Sequence, residues 1–435
     1  MSAFDIGLLS LGGIFGLVLL GLYVPVALMV CSFIGVWAIK GKAALASKLL
    51  ALAASDAIAS YHFGVVPLFV LMGFFVAEAG IGRDAFRVAQ ALLGRMTGGL
   101  GVATVGANAL FAAITGISIA SAAVFSRIAA PEMIARGYTP RFAAGIVAGS
   151  SVLGMLIPPS LLLILYAILA EQSVGDLFIA GILPGLVMAA LFGAVVIGMV
   201  RFAPGFAGRP DRGRVEEPLG RVLLGGLSIA LLVGLVVGGL YGGIFTPVES
   251  GAVGAAGALL LGLLRRSLSR EGFGRALVET GMVTASICLL IIAAAMYSRM
   301  LAFSGVPREF GEMVAASGLG PTGVLLLYIL AVIAMGMILD SSSIMLILVP
   351  LMLPVVEPMG LDLVWFGILT VIAVEIGLLT PPFGISVYVI RSSLRRRDLP
   401  LGAIFAGAAP FALAMFACLM LVLAFPPLAT ALMAH

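Results

Sequence analysis

Charge is what this sequence has least of. Asp, Glu, Lys and Arg make up 10% of its 435 residues, against 62% that are hydrophobic. So few charges cannot cover the surface of a water-soluble fold of that size, which excludes a soluble protein. Histidine is nearly absent, with His62 and His435 alone, and a histidine metal cluster is thereby excluded. The three cysteines, Cys31, Cys288 and Cys418, are scattered through apolar segments and suit neither a disulfide framework nor a thiolate metal site. No nucleophile stands with a base, so an enzyme is not expected. Short alternating strands are missing too, which argues against a membrane β-barrel. The net charge of +4 lies in loops and reports topology, not affinity for nucleic acid.

Long apolar runs are what remain, many of them near or beyond the ~20 residues that cross a bilayer. They define an all-α polytopic membrane protein. The N-terminus, MSAFDIGLLS, carries no basic leader before its apolar run, so a cleaved signal peptide is not expected.

Punctuation residues repeat along the chain. Pro131, Gly137, Phe142, Gly154 and Pro158-Pro159 are answered 223 positions later by Pro354, Gly360, Trp365, Gly377 and Pro381-Pro382. Pro25 is answered by Pro247, and Gly116 by Gly336. Charge does not repeat but flips. Arg136 and Arg141 flank the first connector, whereas Glu357 and Asp362 flank the second; EQSVGD follows the first diproline, RSSLRRRD the second. Positive residues mark the cytoplasmic side, so equivalent loops lie on opposite sides and the halves form an inverted repeat, 1–220 and 221–435. Segments 83–95, 136–141, 201–221, 265–275 and 391–398 are placed in the cytoplasm and hold most of the 24 Lys and Arg, leaving both termini outside. Lys40, Lys42 and Lys48 fall outside, against the rule. The linker 201–221 joins the halves. Amphipathic stretches 81–96 and 303–317 are expected to lie along the membrane as arms.

Within each half this topology requires a re-entrant helical hairpin, with tips at 115–121 and 336–343, followed by a broken helix, 142–170 and 364–394. A lone proline in a membrane helix is ordinarily a kink. Two diprolines in register across a repeat are not. Proline has no N–H, so Pro158 and Pro159 strand the carbonyls of Gly154 and Met155, and Pro381 and Pro382 strand those of Gly377 and Leu378. In hydrocarbon a stranded carbonyl costs several kcal/mol, and a dehydrated Na⁺ would satisfy it together with the tip hydroxyls. Past each break a new helix starts, and its free N–H groups favour an anion.

These residues resemble the large membrane subunit of tripartite ATP-independent periplasmic (TRAP) transporters. GSSVLGMLIPPS, MGMILDSSSIMLILVP and EIGLLTPPFG carry the resemblance, with GYTPRFAA at 137–144 and GGIFTPVESGAVG at 242–254. It implies import of an organic acid across a bacterial or archaeal inner membrane, driven by Na⁺ through an elevator movement. It also implies two partners, a periplasmic substrate-binding protein and a separate small four-helix membrane subunit. Carried over by position, the Na⁺ ligands would be drawn from Thr115, Gly116, Ser118, Ser121, Gly154 and Met155 in the first half, and from Gly336, Asp340, Ser341, Ser342, Gly377, Leu378 and Thr380 in the second. The carboxylate would meet Ser118, Pro158, Pro159, Ser160, Ser343, Pro381, Pro382 and Gly384. Where the family often has an acidic residue after the Ser-x-Ala of the first tip, Ser121 stands here.

Three further residues are candidates. Arg127 would either meet a substrate carboxylate or snorkel to the interface. Glu249 and Glu375 are acids in apolar surroundings. Asp340 would either touch an ion or cap a helix. The rival readings are a Na⁺-coupled carboxylate transporter that works without a binding protein, and an ion channel.

Overall fold

Hydrocarbon leaves no water for backbone polar groups, so each must find a partner within the chain. The computed structural model, which describes residues 1–59, 61–210, 218–394 and 399–433, meets that demand with helices. Among the described residues there is no strand, only an isolated bridge between Tyr138 and Gly208. The middle of the 201–221 linker, the arginines at 395–397 and His435 lie outside the described residues.

Among the described residues, five helices are long and apolar enough to cross a membrane: Val174–Phe202, Leu219–Tyr241, Pro247–Leu264, Arg270–Ser304 and Leu401–Ala424. The second of these passes through a widened π turn at Gly234–Gly238. There the Val236 carbonyl accepts from the Ser250 hydroxyl at 2.8 Å, so a side chain answers one carbonyl of the loosened turn. Side chains start the helices after loops. Thr139, Ser173, Ser269 and Asp362 each accept from a backbone N–H of the first turn.

The expected hairpins and broken helices fall on short elements. Gly99–Thr115 and Ser118–Ala135 are joined at Gly116-Ile117, and Pro321–Gly336 and Ser341–Val356 at 337–340. Ser118 to Ser121 and Ser341 to Ser343 therefore belong to the outgoing helices and not to loops. The first broken helix begins at Pro140, is interrupted once at Val152, and breaks at 157–160 before Leu161–Leu169, with a bend of 42°. The second runs Leu363–Leu379, breaks at 380–384 and resumes as Ile385–Ser393. Both diprolines are joined by cis peptide bonds.

Packing is reciprocal. Val24–Lys40 lies against Arg270–Ser304, and Val65–Glu78 against Pro247–Leu264. Leu401–Ala424 lies against Pro140–Ser151, and Val174–Phe202 against Leu363–Leu379. Leu161–Leu169 packs on the outgoing helix Ser341–Val356, while Ile385–Ser393 packs on the outgoing helix Ser118–Ala135. Each broken helix is thus clasped by the other half. The Tyr166 hydroxyl donates across this junction to the Leu363 carbonyl at 2.6 Å. Ile81–Leu93 leaves Val65–Glu78 at 69° and runs against Gly99–Thr115; Val306–Ala316 leads from Arg270–Ser304 to the second hairpin.

The start of the 201–221 linker is not free. Arg141 donates to the carbonyls of Gly205 (2.9 Å) and Phe206 (3.3 Å) and stacks on the Phe206 ring, while the Thr139 N–H donates to Ala207 at 3.0 Å. These residues tie the linker to the 136–141 connector.

Candidate functional site

Gly116 shapes the first tip. Its φ of +65° is left-handed, and a β-carbon there would collide with the Pro159 carbonyl oxygen. The Leu161 N–H, just past the diproline, donates to the Gly116 carbonyl at 3.1 Å. Gly154 lies equally close: a β-carbon on it would sit 3.1 Å from the Ser118 nitrogen. Thr115, Gly116 and Ser118 are thereby brought together with Gly154, Met155, Pro158, Pro159 and Ser160. Thr115 spends its hydroxyl on the Phe111 carbonyl at 2.9 Å. The Ser118 hydroxyl is buried with no partner among the described residues.

The second tip meets its break in a matching way. A β-carbon at Gly336 would lie 2.8 Å from the Gly377 Cα, so the two backbones touch. The Phe383 N–H, just past the second diproline, donates to the Met337 carbonyl at 3.2 Å. Asp340 caps the outgoing helix. It accepts from the N–H groups of Ser342 (3.1 Å) and Ser343 (3.2 Å) and from the Ser343 hydroxyl, and it stays exposed. Ser341 donates to Glu375 Oε1 at 3.3 Å. Glu375 is fully buried, and its Oε2 has no partner among the described residues. The buried oxygens of Ser118 and Glu375 are the kind of donor an alkali cation takes. The two tips thus offer it different sets, one neutral and one with a carboxylate.

Several expectations need correcting. Of the four carbonyls expected to be stranded, two are covered. The Ser160 hydroxyl folds back onto Met155 O, and the chain tightens before the second diproline so that the Thr380 N–H reaches Gly377 O at 2.9 Å. Gly154 and Leu378 keep prolines at i+4 and gain no helical donor from them. The helix after the first break is not an open anion site either. Its Leu161 N–H is taken by Gly116 and its Leu163 N–H by Ser160 Oγ at 3.3 Å. The helix after the second break follows Gly384 and has no side-chain cap, and its Val387 N–H turns back onto the Gly384 carbonyl at 2.8 Å. Thr380 turns its hydroxyl onto Ile376 O at 2.6 Å. Glu249 closes a capping box with Thr246, bonding its N–H at 2.8 Å and its hydroxyl at 2.9 Å, and sits exposed at a helix start. Arg127 is exposed on the outgoing helix, roughly 13 Å along the axis from Ser118, and is not brought to the tip.

Asn108 was not among the expected residues. It sits on the ingoing helix, fully buried, and its amide donates to Ser150 Oγ at 2.7 Å and to the Thr104 carbonyl at 3.2 Å. Its Oδ1 accepts from Ser121. One side chain thus ties the ingoing helix, the outgoing helix and the broken helix, and Ser121 points at it. The signal was available: an amide inside an apolar membrane helix is expensive unless it has partners.

Residues 11–428 match the family model described as the tripartite ATP-independent periplasmic transporter, DctM component. The chain is 34% identical over 376 residues to the C4-dicarboxylate TRAP transporter large permease protein DctM of Pseudomonas aeruginosa, covering 86% of each. It is 32% identical over 364 residues to the sialic acid TRAP transporter large permease protein SiaM of Vibrio cholerae, covering 83% of each. It is 30% identical over 421 residues to the ectoine TRAP transporter large permease protein TeaC of Halomonas elongata, covering 95% of this chain and 96% of that one. In fold it resembles the YdaH transporter of Alcanivorax borkumensis, with a TM-score of 0.64 at 16% identity over 87% of this chain and 88% of that one. It also resembles MtrF of Neisseria gonorrhoeae, with a TM-score of 0.60 at 13% identity over 86% and 83%.

Proposed function

The chain belongs to the DctM-component family of tripartite ATP-independent periplasmic transporters, as a large permease, and from that premise we propose that it imports a small organic acid together with Na⁺ by an elevator movement. A periplasmic binding protein hands over the substrate, and a small membrane subunit supports the permease in the inner membrane. The observation that carries this reading is the pairing of each hairpin tip with a proline-broken helix, backbone against backbone. Each pairing is closed by an N–H from just past the diproline, Leu161 onto Gly116 and Phe383 onto Met337. Reciprocal packing of the halves supports the inverted repeat.

Na⁺ binds first at the tips. Ser118 and the Gly154 carbonyl serve the first tip; Ser341, Glu375 and the Leu378 carbonyl serve the second. A cation there offsets the cost of burying these oxygens. Its charge then favours an anion alongside, held by the first N–H groups after Gly384. Relatives named for C4-dicarboxylate and for sialic acid support an organic acid as cargo. The body carrying hairpins and broken helices moves against the helices of 3–78 and 219–304, and Ile81–Leu93 and Val306–Ala316 act as the connecting arms.

Uptake by the reconstituted permease, its small subunit and a purified binding protein tests this directly. A panel of organic acids is offered with and without an inward Na⁺ gradient. One acid accumulates, only with the gradient and only with the binding protein. Accumulation that ignores Na⁺ would sink the coupling. Uptake without binding protein would favour the stand-alone transporter, and flux at single-channel rates would favour a channel.

A further inference from the structure

The second break carries a surface that the first does not. Pro158, Pro159 and Ser160 are buried, whereas Pro381, Pro382 and Phe383 are exposed. Phe383 keeps 53% of its surface open, and Ile338, in the second tip, keeps 47%. The Phe383 N–H donates to the Met337 carbonyl at 3.2 Å, so break and tip are joined at this point. Behind the turn the Phe405 ring already fills the space, 2.5 Å from where a β-carbon on Gly384 would sit.

An exposed apolar side chain in a membrane protein ordinarily faces lipid. Asp340 excludes that here. It is exposed in the same tip, two residues past Ile338, and an exposed carboxylate is not left in hydrocarbon. This surface therefore faces water. A ring, two prolines and an isoleucine held open to water forgo the gain of burial until something apolar covers them. Phe383 directly precedes Gly384, so the apolar surface borders the N–H groups that favour the cargo's carboxylate. All partners of Asp340 among the described residues are neutral: the N–H groups of Ser342 and Ser343 and the Ser343 hydroxyl. Its charge therefore remains and repels a second carboxylate on the cargo. Hydroxyls laid on the ring and the prolines would lose water and gain no partner.

We propose that Phe383, Pro381, Pro382 and Ile338 form the floor for the carbon chain of the cargo, and that the permease selects a small monocarboxylate with an apolar chain over dicarboxylates and polyhydroxy acids. The ring of Phe383 covers that chain and sets the preference. This selection rests on the carboxylate lying just past the second break; the floor then decides which acid fills that site.

Titration calorimetry on the purified full chain in Na⁺ buffer tests it without the selectivity of a binding protein. The probes are 4-methylpentanoate, succinate and gluconate. Wild type binds 4-methylpentanoate at least about tenfold more tightly than the other two. Phe383→Ala weakens 4-methylpentanoate about tenfold and leaves succinate and gluconate as they were, while Phe383→Leu restores most of the loss. Should Phe383→Ala melt early, Ile338→Ser carries the test, with a loss of about threefold confined to 4-methylpentanoate. Succinate or gluconate bound by wild type as tightly as 4-methylpentanoate overturns the selection and leaves the carboxylate site standing. So does unchanged binding in the variant that folds, or a loss of equal size for all three probes. Binding of none of the three by wild type overturns the floor and the carboxylate site together.

Discussion

Asn108 has two amide donors and a carbonyl acceptor, and the fold uses both atoms. Asn108→Ala leaves the buried Ser121 hydroxyl without that partner, at a cost of about 1–3 kcal/mol, while Ser150 keeps its bond to the Ile146 carbonyl at 2.6 Å. If Asn108 positions the first tip, the Na⁺ concentration for half-maximal uptake rises about tenfold, with maximal uptake at saturating Na⁺ largely kept. A Na⁺ titration at saturating substrate checks this; equal loss at every Na⁺ concentration would mark Asn108 as merely structural. Gly116→Ala meets two penalties at once, a left-handed φ and the Pro159 carbonyl. The first alone costs about 1–2 kcal/mol, so uptake falls at least about tenfold. Gly12→Ala, with nothing within 4 Å of the new carbon, leaves uptake unchanged. The tip glycines and hydroxyls were legible in the sequence because their chemistry is local. Asn108 was not singled out, since its worth depends on Ser150 arriving from another helix.

At the scale of elements, the two breaks look alike in sequence and differ in structure. Ser160 serves the first break twice, donating to Met155 O and accepting from Leu163 N–H, whereas Gly384 leaves the helix after the second uncapped. Ser160→Ala removes both bonds and costs about 1–2 kcal/mol of local stability. Faster amide exchange over Leu161–Leu169, with the second break unaffected, is the expected readout. Replacing Pro158 and Pro159 by Ala returns two N–H donors to Gly154 and Met155. The helix can then close across 157–160, and uptake is lost while the protein still inserts and purifies. Wild-type uptake by that variant would remove the break from the mechanism. Proline and glycine act within a turn of themselves, so the breaks could be placed from sequence to within a few residues. Which carbonyls stay bare could not, because Ser160 and Thr380 reach back by rotamer and turn geometry.

At the scale of the molecule, the elevator reading requires the body with the tips to slide past the scaffold. Phe69, on Val65–Glu78, and Phe178, on Val174–Phe202, which packs against both broken helices, meet edge to face with ring centroids 5.9 Å apart. In a background without Cys31, Cys288 and Cys418, Phe69→Cys with Phe178→Cys should be joined by a short thiol crosslinker, and the joined protein should not transport. Full uptake by quantitatively crosslinked protein would rule out sliding at that contact. Reciprocal packing was only partly legible. The repeat in sequence related the halves, but that each broken helix is clasped by the other half follows from contacts hundreds of residues apart.

The sequence by itself determined that the chain is helical and membrane-bound, and where its helices must break. Apolar composition, missing N–H groups and left-handed glycines act without help from distant residues. Tertiary structure alone decided which polar groups are answered within the protein and which remain. Ser121 is answered by Asn108 and Gly116 by Leu161, while Ser118 Oγ and Glu375 Oε2 stay without partners among the described residues. A hydrogen bond needs two groups within about 3 Å, and only the folded chain brings them there.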